Sequence, residues 1–145
     1  MPSDNQKKLI ALFPELTPVL SAATKLNRDN GRYAFHDYLT EVYRVGWHWS
    51  RLKIRKRRTA GLANLAETDT RNNAHAFRVI IEATYPLLPA KMASRWTRAL
   101  ELALSERVPV PELTKYFKTS GGVASCARRA ALAIPRREMY RKNWD

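Results

Sequence analysis

Residues 33–58 read YAFHDYLTEVYRVGWHWSRLKIRKRR, and the periodicity of this stretch decides the fold class. Phe35, Tyr38, Leu39, Val42, Val45, Trp49 and Leu52 recur at intervals of three and four, which keeps them on one side of a helix turning about 100° per residue. Arg44, Arg51, Arg55 and Arg58 fall almost opposite. One long amphipathic helix with an arginine spine is therefore expected, its apolar face turned into a core. After Leu52 the stripe ends, and Lys53, Lys56 and Arg57 occupy the sector it had filled. The end of this helix is expected to leave the core as a basic arm.

On the N-terminal side, Ser3 or Asp4 can cap a helix over 5–13 that Pro14 ends, and Thr17-Pro18 can open another over 17–25. Residues 26–32, polar and containing Asn30-Gly31, read as a loop. On the other side, 59–73 are rich in Gly, Asn, Asp and Thr, which predicts a loop or internal break with a helical turn at 61–67. Phe77, Ile80, Ile81 and Thr84 are spaced for a helix over 74–85, although the β-branched Val79, Ile80 and Ile81 also suit a short strand. Pro89 can open a helix over 90–106 with Met92, Trp96, Ala99, Leu100, Ala103 and Leu104 as its core stripe. Beyond the stiff connector 108–111, a helix over 111–118, a Ser120-Gly121-Gly122 stop and a helix over 123–134 make a hairpin.

Alternation of apolar and polar residues, the mark of a half-buried strand, is scarce. The expected fold is all-α, a single compact helical domain of five to seven helices over 1–134. It carries a helix-turn-helix-like hairpin near its C-terminus and a basic helix end. Residues 135–145 form a polar tail with Met139, Tyr140 and Trp144, which packs or stays disordered when unbound. Four Trp, six Tyr and four Phe supply the large apolar side chains that offset the entropy of ordering such a domain.

Charge points to the partner. Lys and Arg number 26 against 13 Asp and Glu, a formal +13, and a field of that sign attracts polyanions. It is strongest over 51–58, where six of eight residues are basic, and no acidic residue lies between Glu41 and Glu67. Arg44, Arg51, Lys53, Arg55, Lys56, Arg57 and Arg58 are accordingly the expected contacts to nucleic-acid phosphates. Trp49 lies in the centre of the apolar arc and reads as core. Trp47 lies off it and is the candidate for stacking on a base.

In the hairpin, Ala124 and Ser125 start the second helix, with Arg128 and Arg129 one turn later. In a working helix-turn-helix, Ser125, Arg128 and Arg129 would face the major groove, and an arginine bidentate to guanine would carry the specificity. A unit this small calls for a homodimer on an inverted repeat. Gly121-Gly122 also sets amides at a helix N-terminus where a phosphate can sit.

Enzymatic chemistry finds no support. His36, His48 and His75 share no metal-ligand spacing, no HExxH, CxxC, P-loop or GxSxG motif is present, and the carboxylates are scattered. No metal or cofactor is therefore expected. Cys126, among alanines, reads as a buried structural thiol, and a lone cysteine fits a reducing compartment. No signal peptide and no membrane-length apolar run is evident, so a cytoplasmic location away from membranes is expected. The reading is a non-enzymatic protein that binds double-stranded DNA: a transcription regulator, a replication or partition accessory, or an architectural protein. An RNA-binding protein and a protein-interaction module of a nucleoprotein complex are the alternatives.

Overall fold

The computed structural model describes residues 4–29, 31–53, 55–66 and 75–133. Those residues are all-helical, with eight α-helices: α1 Asp4–Leu12, α2 Thr17–Asp29, α3 Arg32–Ser50, α4 Arg55–Leu65, α5 Ala76–Thr84, α6 Ala90–Ser105, α7 Leu113–Thr119 and α8 Val123–Ala133. Short 3₁₀ turns at Pro14–Leu16 and Val110–Glu112 lead into α2 and α7. The strand considered at 79–81 is helix.

One helix more than expected arises because residues 33–58 do not make a single rod. α3 stops at Ser50, whose hydroxyl donates to the Trp47 carbonyl at 2.6 Å. The Arg51 and Leu52 amides close the turn on the His48 and Trp49 carbonyls at 3.2 and 2.9 Å. The chain then re-enters a helix at Arg55 and continues to Leu65, through sequence that reads as a loop. Leu62 and Ala63 are fully buried there, and Thr59 is buried with its hydroxyl bonded to the Arg55 carbonyl at 2.8 Å. The basic run is therefore the beginning of a packed helix, not an arm projecting from α3. α2 likewise runs on through Asn27 and Arg28, shortening the expected loop.

α3 is the central strut. It packs on α2, α4, α5, α6 and α7, and it buries Tyr38, Leu39, Val42, Tyr43 and Trp49 completely. α5 is almost wholly interior, with Phe77, Val79, Ile80 and Ile81 fully buried. Gly46 makes their crossing possible, because a Cβ there would lie 2.0 Å from Phe77 Cε1. The buried tyrosine hydroxyls in this core are paired: Tyr38 with Thr84 at 2.8 Å, and Tyr43 donating to the Val108 carbonyl at 2.7 Å.

α6 and α8 form the most extensive helix pair, consistent with the small Ala127 and Ala130 buried on α8. The turn between α7 and α8 needs both its glycines, since Gly121 and Gly122 adopt φ of 89° and 100°. The Gly122 amide returns to the Phe117 carbonyl at 2.8 Å. Met139, Tyr140 and Trp144 lie outside the described residues, as do Ile134 and residues 67–73 of the expected break.

Candidate nucleic-acid interface

Arg44, Trp47 and His48 on α3 and Arg51 at its C-cap stand at i, i+3, i+4 and i+7 and so share one face. Arg44, His48 and Arg51 are exposed. Across the turn, Lys53, Lys56 and Arg57 are exposed as well, and the last two open α4. Among the described residues, Arg51, Lys53, Lys56 and Arg57 make no salt bridge, and Arg44 meets Glu41 only at 3.6 Å. The bend at 51–53 thus joins two helix ends into one cationic surface.

Trp47 is half-buried, not a free platform. Its ring tilts against Tyr43 at 5.8 Å, and the Arg51 guanidinium lies 5.0 Å from its centroid. That cation–π contact fixes Arg51 over the indole. His48 belongs to this surface and is absent from the residues singled out in the sequence; its spacing from Arg44 and Arg51 is the signal that finds it.

Two of the expected phosphate contacts point elsewhere. Arg58 donates to Glu15 at 2.6 Å and lies 4.8 and 5.5 Å from the Phe13 and Trp49 ring centroids. Glu15 also accepts from Trp49 Nε1 at 2.9 Å. Partial burial tends to raise the Glu15 carboxyl, but the hydrogen bonds from Trp49 and Arg58 outweigh it and hold the group below the usual carboxylate range. Arg55 is half-buried beside His75, whose imidazole is pushed down to about 3, first by burial and then by the Arg55 charge. The neutral ring accepts from the Phe77 amide at 3.1 Å and caps α5.

The hairpin has the expected helix, Gly-Gly turn and helix, yet it presents little at the start of α8. Ala124 and Ser125 are half-buried, with the Ser125 hydroxyl turned onto Gly121. Arg129 reaches Glu106 at 3.6 Å, and Glu106 also accepts from the Tyr116 hydroxyl. Arg128 is exposed and makes no salt bridge among the described residues. Cys126 is fully buried, and burial pushes its thiol up.

No group of three or more His, Cys, Asp or Glu among the described residues is placed to hold a metal ion. No helix among them is long and apolar enough to cross a membrane. Comparisons with protein-family models, curated proteins and solved structures find no match to the chain.

Proposed function

We propose that this protein binds double-stranded DNA chiefly through its phosphates, without catalysis, as an architectural or regulatory component. The observation that carries the reading is the exposed cluster of Arg51, Lys53, Lys56 and Arg57 at the α3–α4 bend, unpaired among the described residues and extended by Arg44 and His48. Four such cations set close together, with no salt bridge to neutralise them, favour a polyanion whose charges are equally close. Arg128, one turn into α8, is the residue for a base edge. Arg129 has the supporting part of binding Glu106, and Ser125, half-buried beside Gly121, presents little to a groove. The charged bend then provides affinity, and the hairpin adds at most a single direct contact.

The test is a salt titration of binding to a random duplex, a single strand and a structured RNA. Duplex DNA is expected to bind most tightly, with affinity falling steeply and linearly in log–log form. Preference for the structured RNA or the single strand would replace this reading with the RNA-binding one.

A further inference from the structure

On a different face from the basic bend, the 84–92 connection lies against α2 and the start of α3 and leaves two open hollows side by side. The larger, about 670 Å³, is walled by Phe35, Tyr85, Leu88, Met92 and Trp96. The smaller, about 180 Å³, is lined by Leu20, Ala23 and Thr84 among others. Asn27, Tyr85 and Leu87 line both, so Leu87 forms the ridge between them. Leu87 is 81% exposed and Met92 38%, placing two large aliphatic side chains in water at one spot. Within the larger hollow Phe35 and Trp96 meet edge to face at 4.9 Å, a firm aromatic wall.

We propose that this double hollow is a docking groove for an acidic amphipathic helix of a partner protein. Charge identifies the occupant. Among the described residues, none that lines the hollows is acidic. Lys25 and Arg28 neighbour Leu26 and Asn27 on α2, and Lys91 and Arg95 neighbour Met92 and Trp96 on α6. All four are exposed and make no salt bridge among the described residues. Two hollows astride one ridge suit apolar anchors a turn or two apart on a helix, and a methionine at the rim adapts to their shape. The chain's own residues 136–145 carry four cations against two carboxylates, and a second copy brings +13, so both are the wrong sign for this rim. Exposed aliphatic side chains also suit a protein better than a nucleobase, which needs an open aromatic face; Trp96 is only 5% exposed. The groove does not depend on the DNA reading.

A fluorescein-labelled peptide with Leu, Phe and Leu at i, i+4 and i+7 among glutamates and alanines serves as the probe, with a scrambled peptide of the same composition as its control. Titrated into the full chain, the patterned peptide is expected to bind about tenfold more tightly than the scrambled one. Leu87→Glu with Met92→Glu should abolish that difference, Lys91→Glu with Arg95→Glu should reduce it, and Lys56→Ala with Arg57→Ala should leave it unchanged. Leu87→Ala, at a side chain already in water, repeats the test with no risk to folding. Equal binding of both peptides, or loss through the Lys56 and Arg57 changes, would overturn the proposal. So would contacts from Leu87 or Met92 methyls to the Tyr140 or Trp144 rings in the free protein, which assign the groove to the chain's own tail. Concentration-dependent self-association abolished by Leu87→Glu would assign it to a second copy, and shifts at Leu87 on adding a thymidine oligonucleotide would assign it to nucleic acid; either result also overturns the proposal.

Discussion

Arg58 lies 2.6 Å from Glu15, joining the start of α4 to the turn before α2, and its guanidinium packs against both the Phe13 and Trp49 rings. An arginine in the most basic part of the chain is thus committed to holding the fold. Arg58→Ala should lower stability by about 1–3 kcal/mol, the range for a partly buried charge-assisted bond with its stacking, while changing duplex affinity little. Chemical denaturation and a binding titration on the same variant separate the two effects. Because Glu15 titrates below its usual range, its part of this stabilisation is present above about pH 4.5 and is lost as pH falls through the lowered folded value. A variant that denatures normally and binds poorly would place Arg58 on the DNA instead.

The cations across the bend behave in the opposite way. Replacing Arg51, Lys53, Lys56 and Arg57 together with Ala should flatten the salt dependence of duplex binding by about 0.9 for each phosphate that is no longer neutralised and weaken all sequences alike. Stability should change by less than about 1 kcal/mol, since these side chains are exposed and only Arg51 has a ring contact. A salt slope equal to that of the unaltered protein would exclude the bend as the phosphate-binding surface.

Gly46 and Phe77 give a test of packing in which propensity and geometry disagree. Ala is a better helix former than Gly by about 1 kcal/mol, so an open site in the middle of α3 would gain from Gly46→Ala. Here the new Cβ would meet Phe77 ring carbons at 2.0, 2.5 and 2.9 Å, and the ring is fully buried. A destabilisation of about 2 kcal/mol or more is expected, because neither helix can retreat without opening the core. Partial recovery in Gly46→Ala with Phe77→Leu, measured by thermal unfolding, would locate the clash at that ring.

The difference between what the sequence reveals and what it hides follows from these contacts. Trp49, Tyr38 and Val42 declare themselves by spacing, because α3 is buried along one side for its whole length. The break at Ser50 does not, because it is closed by bonds from the Ser50 hydroxyl and the Arg51 and Leu52 amides to the preceding carbonyls, and the apolar spacing runs on to Leu52 as though the helix continued. α4 is obscured for a related reason. Its burial rests on Leu62, Ala63 and a back-bonded Thr59, too few apolar positions to form a stripe among Lys56, Arg57, Gly61 and Asn64. At the candidate site, the density of charge is visible in the residues, whereas the diversion of Arg58 to Glu15 and Arg129 to Glu106 belongs to the folded chain alone.

Cys126 is fully buried on the inner face of α8, with its thiol raised by burial. Cys126→Ala should cost about 1–2 kcal/mol through poorer packing and leave duplex affinity intact. In the native protein a thiol reagent should react only as fast as the helix opens, so labelling should accelerate sharply across the unfolding transition. Rapid labelling under native conditions would contradict the packing of α8.

Glu101 sets the pH dependence of the core. It lies on α6, the helix that packs most extensively against α8, and is only 6% exposed; Thr97, one turn earlier, is equally buried with its hydroxyl unpartnered among the described residues. Burial pushes the Glu101 carboxyl up to about 8, with Arg98 pulling weakly the other way, so the folded protein holds it neutral at pH 7. In the unfolded chain the same group titrates near 4.5. Between those values the folded state binds the extra proton, and stability must therefore fall as pH rises from about 4.5 to about 8. Below that window Glu101 is neutral in both states and contributes no slope; above it the buried charge is present in full. Glu101→Gln keeps the shape and removes the titration. It should be near neutral at pH 4.5, and at pH 8 it should raise stability by on the order of 1 kcal/mol or more, a rise in Tm of roughly 3–6 °C. His75 acts at the other end: its neutral folded form costs stability as pH falls from about 6.5 toward 3, and Glu101→Gln leaves that limb in place. Thermal unfolding of both proteins across pH 4.5 to 9 reads the difference directly. Parallel curves over that range would show that the carboxyl is ionised in the fold and that the α6 site is wetter than its exposure implies.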